Sequence, residues 1–255
     1  MPILPPKPQY PSSWKHYPLW NRVRNAILAC PDHFSTPTNI EGLLATDIYT
    51  LNTTLAATIE EAFVKTLNDL RSVWDVSKEY ETYAFERQAQ TFPDVILRKQ
   101  TNGSDILLGI ELKGWYLLAK EEVPTFRFTV TEGACNPWDF LVVVPWVLSN
   151  VLAGTPELYR PYVQTAQYCA QQRNYYWTKE RKARESREII SPKGIHPYPQ
   201  KSDNISDKAV SDSGNNFGRL ARYGVMTEYI EQMQRSLIRG IAVKDWQKFF
   251  KKHRS

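Results

Sequence analysis

GIELKGWYLL, residues 109–118, decides how the rest of the chain is read. So apolar a run reads as a strand, yet it carries Glu111 and Lys113 two residues apart. Side chains alternate along a strand, so these two charges share one side while Ile110 and Leu112 take the other. The question is what sits on the charged side.

The surrounding sequence supplies partners for this strand. PDVILRK at 93–99 reads as a second strand opened by a proline, and TNGSD at 101–105 is a turn signal. Residues 93–99 and 105–118 are therefore expected to form a hairpin, with a further strand in 80–90. DFLVVVPWVL at 139–148 is a nearly continuous apolar run, as in a central strand covered on both faces. Upstream, residues 51–74 place Ile59, Phe63, Leu67, Leu70 and Trp74 on one face of an amphipathic helix. Residues 1–20 read as an extended, proline-punctuated arm. Residues 155–190 read as mostly helical, 191–216 as a long polar loop and 223–252 as helical again. The pattern predicts an α/β fold in one domain spanning 1–255: a mixed central β-sheet flanked by α-helices, with a helical, loop-rich C-terminal part. No internal repeat or low-complexity tract stands out.

Composition bounds the function classes. The chain has 255 residues, 42% of them hydrophobic, enough for a sizeable core. Its three cysteines, Cys30, Cys135 and Cys169, show no metal-ligand spacing and read as free thiols of a reducing, cytoplasmic setting. No secretory signal is visible, and FLVVVPWVL at 140–148 is too short to span a bilayer. The four histidines are far apart, without zinc or triad spacing, and no phosphate-loop glycine fingerprint occurs. The net charge of +5 is unevenly spread. Residues 1–133 hold 13 Lys and Arg against 16 Asp and Glu, whereas residues 134–255 hold 19 against 11. A basic half suits a polyanionic partner, nucleic acid first; a solvated basic face is the competing explanation.

The hairpin brings the charged residues together. In an ordinary register Asp94 lies near Glu111 and Lys113. Two carboxylates converging on one spot repel unless a cation sits between them. Magnesium takes oxygen ligands and is commonly held by one or two carboxylates plus water and phosphate. A lysine beside them offsets negative charge and can hold or activate the water that attacks phosphorus. The charged side of the strand thus reads as a metal-dependent hydrolytic site.

Pro93–Asp94 followed by Glu111–Leu112–Lys113, across a hairpin and after an acidic helix, resembles the PD-(D/E)XK nuclease superfamily. The resemblance covers roughly residues 51–150. It implies a restriction-endonuclease-like fold and cleavage of DNA with Mg2+, one or two ions per site. Asp94, Glu111 and the Leu112 carbonyl would be metal ligands, and Lys113 would position the nucleophilic water. Members often place a helix glutamate beside the metal. Advancing 100° per residue from Ile59 puts Glu60 at the edge of the apolar arc and Glu61 on the wet face, so Glu60 is the better candidate.

A nuclease also needs DNA contacts. Lys120 and Arg127 follow the catalytic strand and could touch phosphates near the scissile bond; a surface lysine and an ion-paired arginine are the alternative. SDSGNNFGRLARYGVM at 211–226 has glycines at 214, 218 and 224 that let backbone approach another body. Asn215, Asn216, Arg219 and Arg222 there suit base edges or phosphates. The basic helix end at 179–187, preceded by Tyr175, Tyr176 and Trp177, is a second candidate contact, with core packing the competing role for its aromatics. Residues 155–255 would then supply DNA recognition and dimerisation. The expectation is a type II restriction endonuclease acting on double-stranded DNA, a homodimer by family resemblance, beside a cognate DNA methyltransferase. A structure-specific repair or junction nuclease, and a DNA-binding protein that no longer cuts, are the alternatives.

Overall fold

A computed structural model describes residues 4–8, 12–44, 51–88, 90–101, 105–182 and 185–253, without the side chains of 51–54. The centre of the turn expected at 101–105 lies outside the described residues, as do parts of the N-terminal arm, of the 80–90 segment and of the basic stretch 179–187.

The charged strand is the middle of a mixed sheet. Strands β1 (Tyr83–Arg87), β2 (Val95–Lys99) and β3 (Ile106–Tyr116) run antiparallel in order, and β4 (Phe140–Leu148) lies parallel to β3. The expected hairpin and the fully buried β4 are both present. β4 offers one long open edge, and two short strands share it: β5 (Pro156–Leu158) and β6 (Tyr162–Thr165), both antiparallel. This corrects the helical reading of the first part of 155–190. Pro161 cannot sit inside a helix, and the edge of β4 needs hydrogen-bond partners. The changeover from β5 to β6 falls opposite Pro145, which has no N–H to donate; its carbonyl accepts the Tyr159 N–H at 2.8 Å.

Each face of the sheet has its own apolar cluster. Ile110, Leu112, Val142 and Val144 belong to one, beneath α1 (Tyr17–His33), much of α2 (Leu51–Asp69) and α3 (Arg71–Trp74). Leu141, Val143 and Trp115 belong to the other, with α4 (Ala166–Tyr175), α5 (Thr227–Arg235) and α6 (Val243–Lys252). Helix α2 contributes to both: Leu55 and Ile59 to the second cluster, Phe63, Val64 and Leu67 to the first. That straddling position carries Glu60 to the charged side of β3.

Helix α1 begins at Tyr17 and overturns the arm reading for the last part of residues 1–20. Pro18 lies in its first turn, where a missing N–H costs nothing, and Leu19, Trp20, Val23, Ala26, Ile27 and Cys30 form its buried stripe. The helix expected over 51–74 breaks at Leu70. Buried Trp74 turns its indole N–H onto the Leu67 carbonyl at 2.8 Å, taking a backbone acceptor at the helix end. The 223–252 segment is also interrupted. β9 (Leu237–Ile238) and β10 (Ile241–Ala242) form a two-residue hairpin through Arg239 and Gly240, both at positive φ. A pair of equal size, β7 (Ile189–Ile190) with β8 (Lys208–Ala209), places a short strand inside the stretch read as a long loop. All three cysteines are buried free thiols.

Candidate active site

The predicted catalytic residues meet in space. Lys113 Nζ lies 2.7 Å from Glu111 Oε1 and 3.5 Å from Asp94 Oδ2. The same Asp94 oxygen accepts the Leu112 N–H at 2.9 Å. Asp94 is thus anchored by the backbone of the strand that carries its partners. Glu111 is buried, 7% exposed, while the Lys113 and Asp94 side chains keep partial solvent access. Leu112 turns its side chain into the opposite apolar cluster, as strand alternation requires.

Burial pushes the Glu111 carboxyl up; Asp94, close enough to share a hydrogen bond with it, adds to the rise, and Lys113 opposes it. Burial alone would pull Lys113 down, but Glu111 and Asp94 together more than offset this and hold its ammonium above its ordinary range. Lys113 is therefore a fixed cation at neutral pH, suited to orienting a water or phosphate oxygen and not to accepting a proton. With both carboxylates ionised, the pair outweighs the single ammonium in charge. Two carboxylates are a donor set of the kind a hard divalent cation takes. Among the described residues no group of three or more His, Cys, Asp or Glu side chains stands ready to hold a metal.

Glu60 reaches the same place with its carboxylate turned elsewhere. Burial raises its carboxyl, and Asp94 raises it further, whereas Arg87 and Lys113 act against both. Its oxygen is taken by Arg87 at 3.1 Å. Glu61 is exposed, as the helical arc predicts.

Sequence reasoning missed the residues that support this site. Gln88 grips the proline–aspartate pair: its N–H donates to the Asp94 carbonyl at 2.7 Å and its side-chain amide to the Pro93 carbonyl at 2.8 Å. Asp139, fully buried where β4 begins, accepts the Gly109 N–H at 2.6 Å, the Asn136 N–H at 2.9 Å and the Tyr198 hydroxyl at 3.0 Å. Gly109 is where Pro93 seats: a Cβ there would lie 2.2 Å from Pro93 Cγ and 3.0 Å from Asp139 Oδ1. The only local hint was a glycine ahead of the motif and an aspartate ahead of the apolar run.

The DNA-binding candidates divide. Arg127, Asn215, Asn216, Arg219 and Arg222, drawn from two distant segments, form one cluster. Arg127 donates to Asp212 at 3.0 Å and to the Asn215 side chain at 3.3 Å; Arg219 donates to the Asn215 carbonyl at 3.0 Å; Arg222 donates to the Asn216 side chain. Lys120 is exposed on the turn after β3 and joins none of these contacts. Gly218, expected to admit another body, is buried instead against the chain itself. Its carbonyl accepts the Phe128 N–H at 2.8 Å, and a Cβ there would meet Thr129 Cγ2 at 2.9 Å. Only the start of the 179–187 segment is a helix end, and the described residues beyond Glu180 leave the helix. A π-turn at Tyr176–Glu180 closes the helix, Trp177 is buried, and Arg181 stacks on Trp177 and donates to the Ser211 carbonyl at 3.3 Å. The two basic segments therefore border one another. Phe92 packs on Phe128, with ring centroids 6.2 Å apart, and so links the Pro93–Asp94 corner to the irregular segment between β3 and β4 that abuts the loop.

The chain matches no known protein family, and no characterised protein is significantly similar to it. Among the described residues no helix is long and apolar enough to cross a membrane.

Proposed function

We propose that the chain is a magnesium-dependent, sequence-specific endonuclease of double-stranded DNA, akin to the type II restriction enzymes of the PD-(D/E)XK superfamily. The observation that carries the reading is the convergence of Asp94, Glu111 and Lys113 around one solvent-accessible point. Asp94, Glu111 and the Leu112 carbonyl would hold the ion. When bound, magnesium lowers the pKa of a coordinated water and balances charge that builds on the phosphate. Lys113 orients the attacking water and faces the same developing charge. Asp139, Gly109 and Gln88 fix where Asp94 stands. The cluster of Arg127 with residues 212–222, bordered by Arg181, supplies the chemistry for base edges and phosphates. Two-fold symmetric cleavage by a homodimer, next to a protective methyltransferase, completes the reading.

The test is to incubate the purified chain with long duplex DNA of known sequence in magnesium and in EDTA, and to sequence the fragment ends. Discrete fragments sharing one short sequence, formed only with magnesium, are expected. Cutting confined to branched DNA would replace this reading with a junction nuclease. Tight binding with no cleavage in magnesium or manganese would replace it with a DNA-binding protein.

A further inference from the structure

Arg87, which sequence reasoning did not single out, is bonded to Glu60, a carboxylate beside the catalytic triplet. It sits at the end of β1, paired across the ladder with Val95, the residue after Asp94. Its neighbour Gln88 bonds the Asp94 carbonyl at 2.7 Å, so Arg87 and Asp94 are held on adjoining backbone. Its side chain is 42% exposed, and the partner it holds, Glu60, feels the charges of both Asp94 and Lys113. Asp94 and Glu111 thus stand together as a pair, while the third carboxylate of the neighbourhood is drawn onto an arginine.

We propose that Arg87 is a phosphate-binding residue at the mouth of the active site, and that DNA exchanges for Glu60 on its guanidinium. This rests on the nuclease reading above. An exposed ion pair is weakly held, whereas a planar guanidinium binds a phosphate through two parallel hydrogen bonds. A backbone phosphate arriving near Asp94 therefore competes well for Arg87. Glu60, once released, is left beside Asp94 and Lys113 without its guanidinium partner, where it can serve as an additional oxygen ligand for a divalent ion. DNA binding and metal binding then reinforce one another, and by linkage the coupling runs equally both ways.

Two equilibrium measurements test this without reference to turnover. The first is binding of a short random-sequence duplex in EDTA as a function of salt, for the wild type, Arg87→Ala and Arg87→Lys. Losing one phosphate contact makes the log–log slope shallower by about 0.9 in Arg87→Ala, and Arg87→Lys retains most of it. The second is Mn2+ binding followed by electron paramagnetic resonance, with and without the duplex. The duplex is expected to tighten Mn2+ binding in the wild type. Arg87→Ala should bind Mn2+ more tightly without DNA, and that gain should vanish in Glu60→Gln/Arg87→Ala. An unchanged salt slope, or a gain that persists without the Glu60 carboxylate, overturns the proposal. If the wild type cuts DNA while either of these is seen, only the Arg87 proposal fails; if the wild type neither binds nor cuts duplex, the nuclease reading fails with it.

Discussion

At the scale of single residues, the site is built from charges that satisfy one another unequally. Glu111 and Lys113 were legible because a strand with opposite charges at i and i+2 violates the pattern expected of an apolar run. Asp94 followed from the hairpin. Asp139 and Arg87 were not legible: their partners Gly109 and Glu60 lie tens of residues away, and nothing local marks the contact. Asp139 also makes stability depend on pH. Burial raises its carboxyl to about 6 despite three donors that favour the charged form. A raised folded-state pKa means the folded chain holds this proton more tightly than the unfolded one. The contribution is therefore full below about 4 and is lost as pH rises through about 6. Denaturant unfolding at a series of pH values should show the wild type losing roughly 3 kcal/mol relative to Asp139→Asn across that window. Parallel curves for the two proteins would contradict the assignment.

At the scale of elements, β3 carries two glycines in different situations. A methyl group at Gly109 would collide with the Pro93 ring, whereas one at Gly114 would meet only Trp146 Nε1 at 3.6 Å, an ordinary contact. Gly109→Ala should cost about 1–3 kcal/mol and displace Asp94, abolishing most cleavage, while Gly114→Ala should cost under about 1 kcal/mol and leave cleavage largely intact. Melting temperatures and cleavage rates of the two variants check this; equal effects would mean that the Pro93 seat has no role. The hairpin and β4 were readable because period-two alternation and continuous apolar runs are local signals. α1 was hidden by a proline that happens to fall in a first turn. β5 and β6 were hidden because their state is decided by the open edge of β4; Pro161 argues against a continuous helix there, but nothing local assigns the two strands.

At the scale of the whole molecule, one buried ion pair joins the site-bearing sheet to the basic surface. Arg173, fully buried on α4, donates to the Phe128 carbonyl at 2.8 Å and the Val130 carbonyl at 2.9 Å, pairs with buried Asp207, and lies over the Phe217 ring. It holds the irregular crossover between β3 and β4 against the loop that carries Asn215, Asn216, Arg219 and Arg222. Arg173→Met should cost about 3–5 kcal/mol, because Asp207 is left charged and unpaired. Arg173→Met/Asp207→Leu should cost clearly less, as chemical denaturation of both would show; a double variant as unstable as the single would contradict the pairing. The charge asymmetry of the two halves was visible in the sequence, but not that residues 179–187 and 211–222 border one another, since that contact depends on how α4 ends. In the proposed function Asp94, Glu111 and Lys113 form a cation-dependent DNA-cleaving centre. The measurement that meets it most directly is cleavage of supercoiled plasmid in magnesium by the wild type and Lys113→Ala at equal DNA occupancy. The wild type is expected to cut and the variant to cut about 10²–10⁴-fold more slowly, with DNA affinity little changed. Equal rates in the two proteins, or no cutting by a wild type that binds the plasmid, would contradict it.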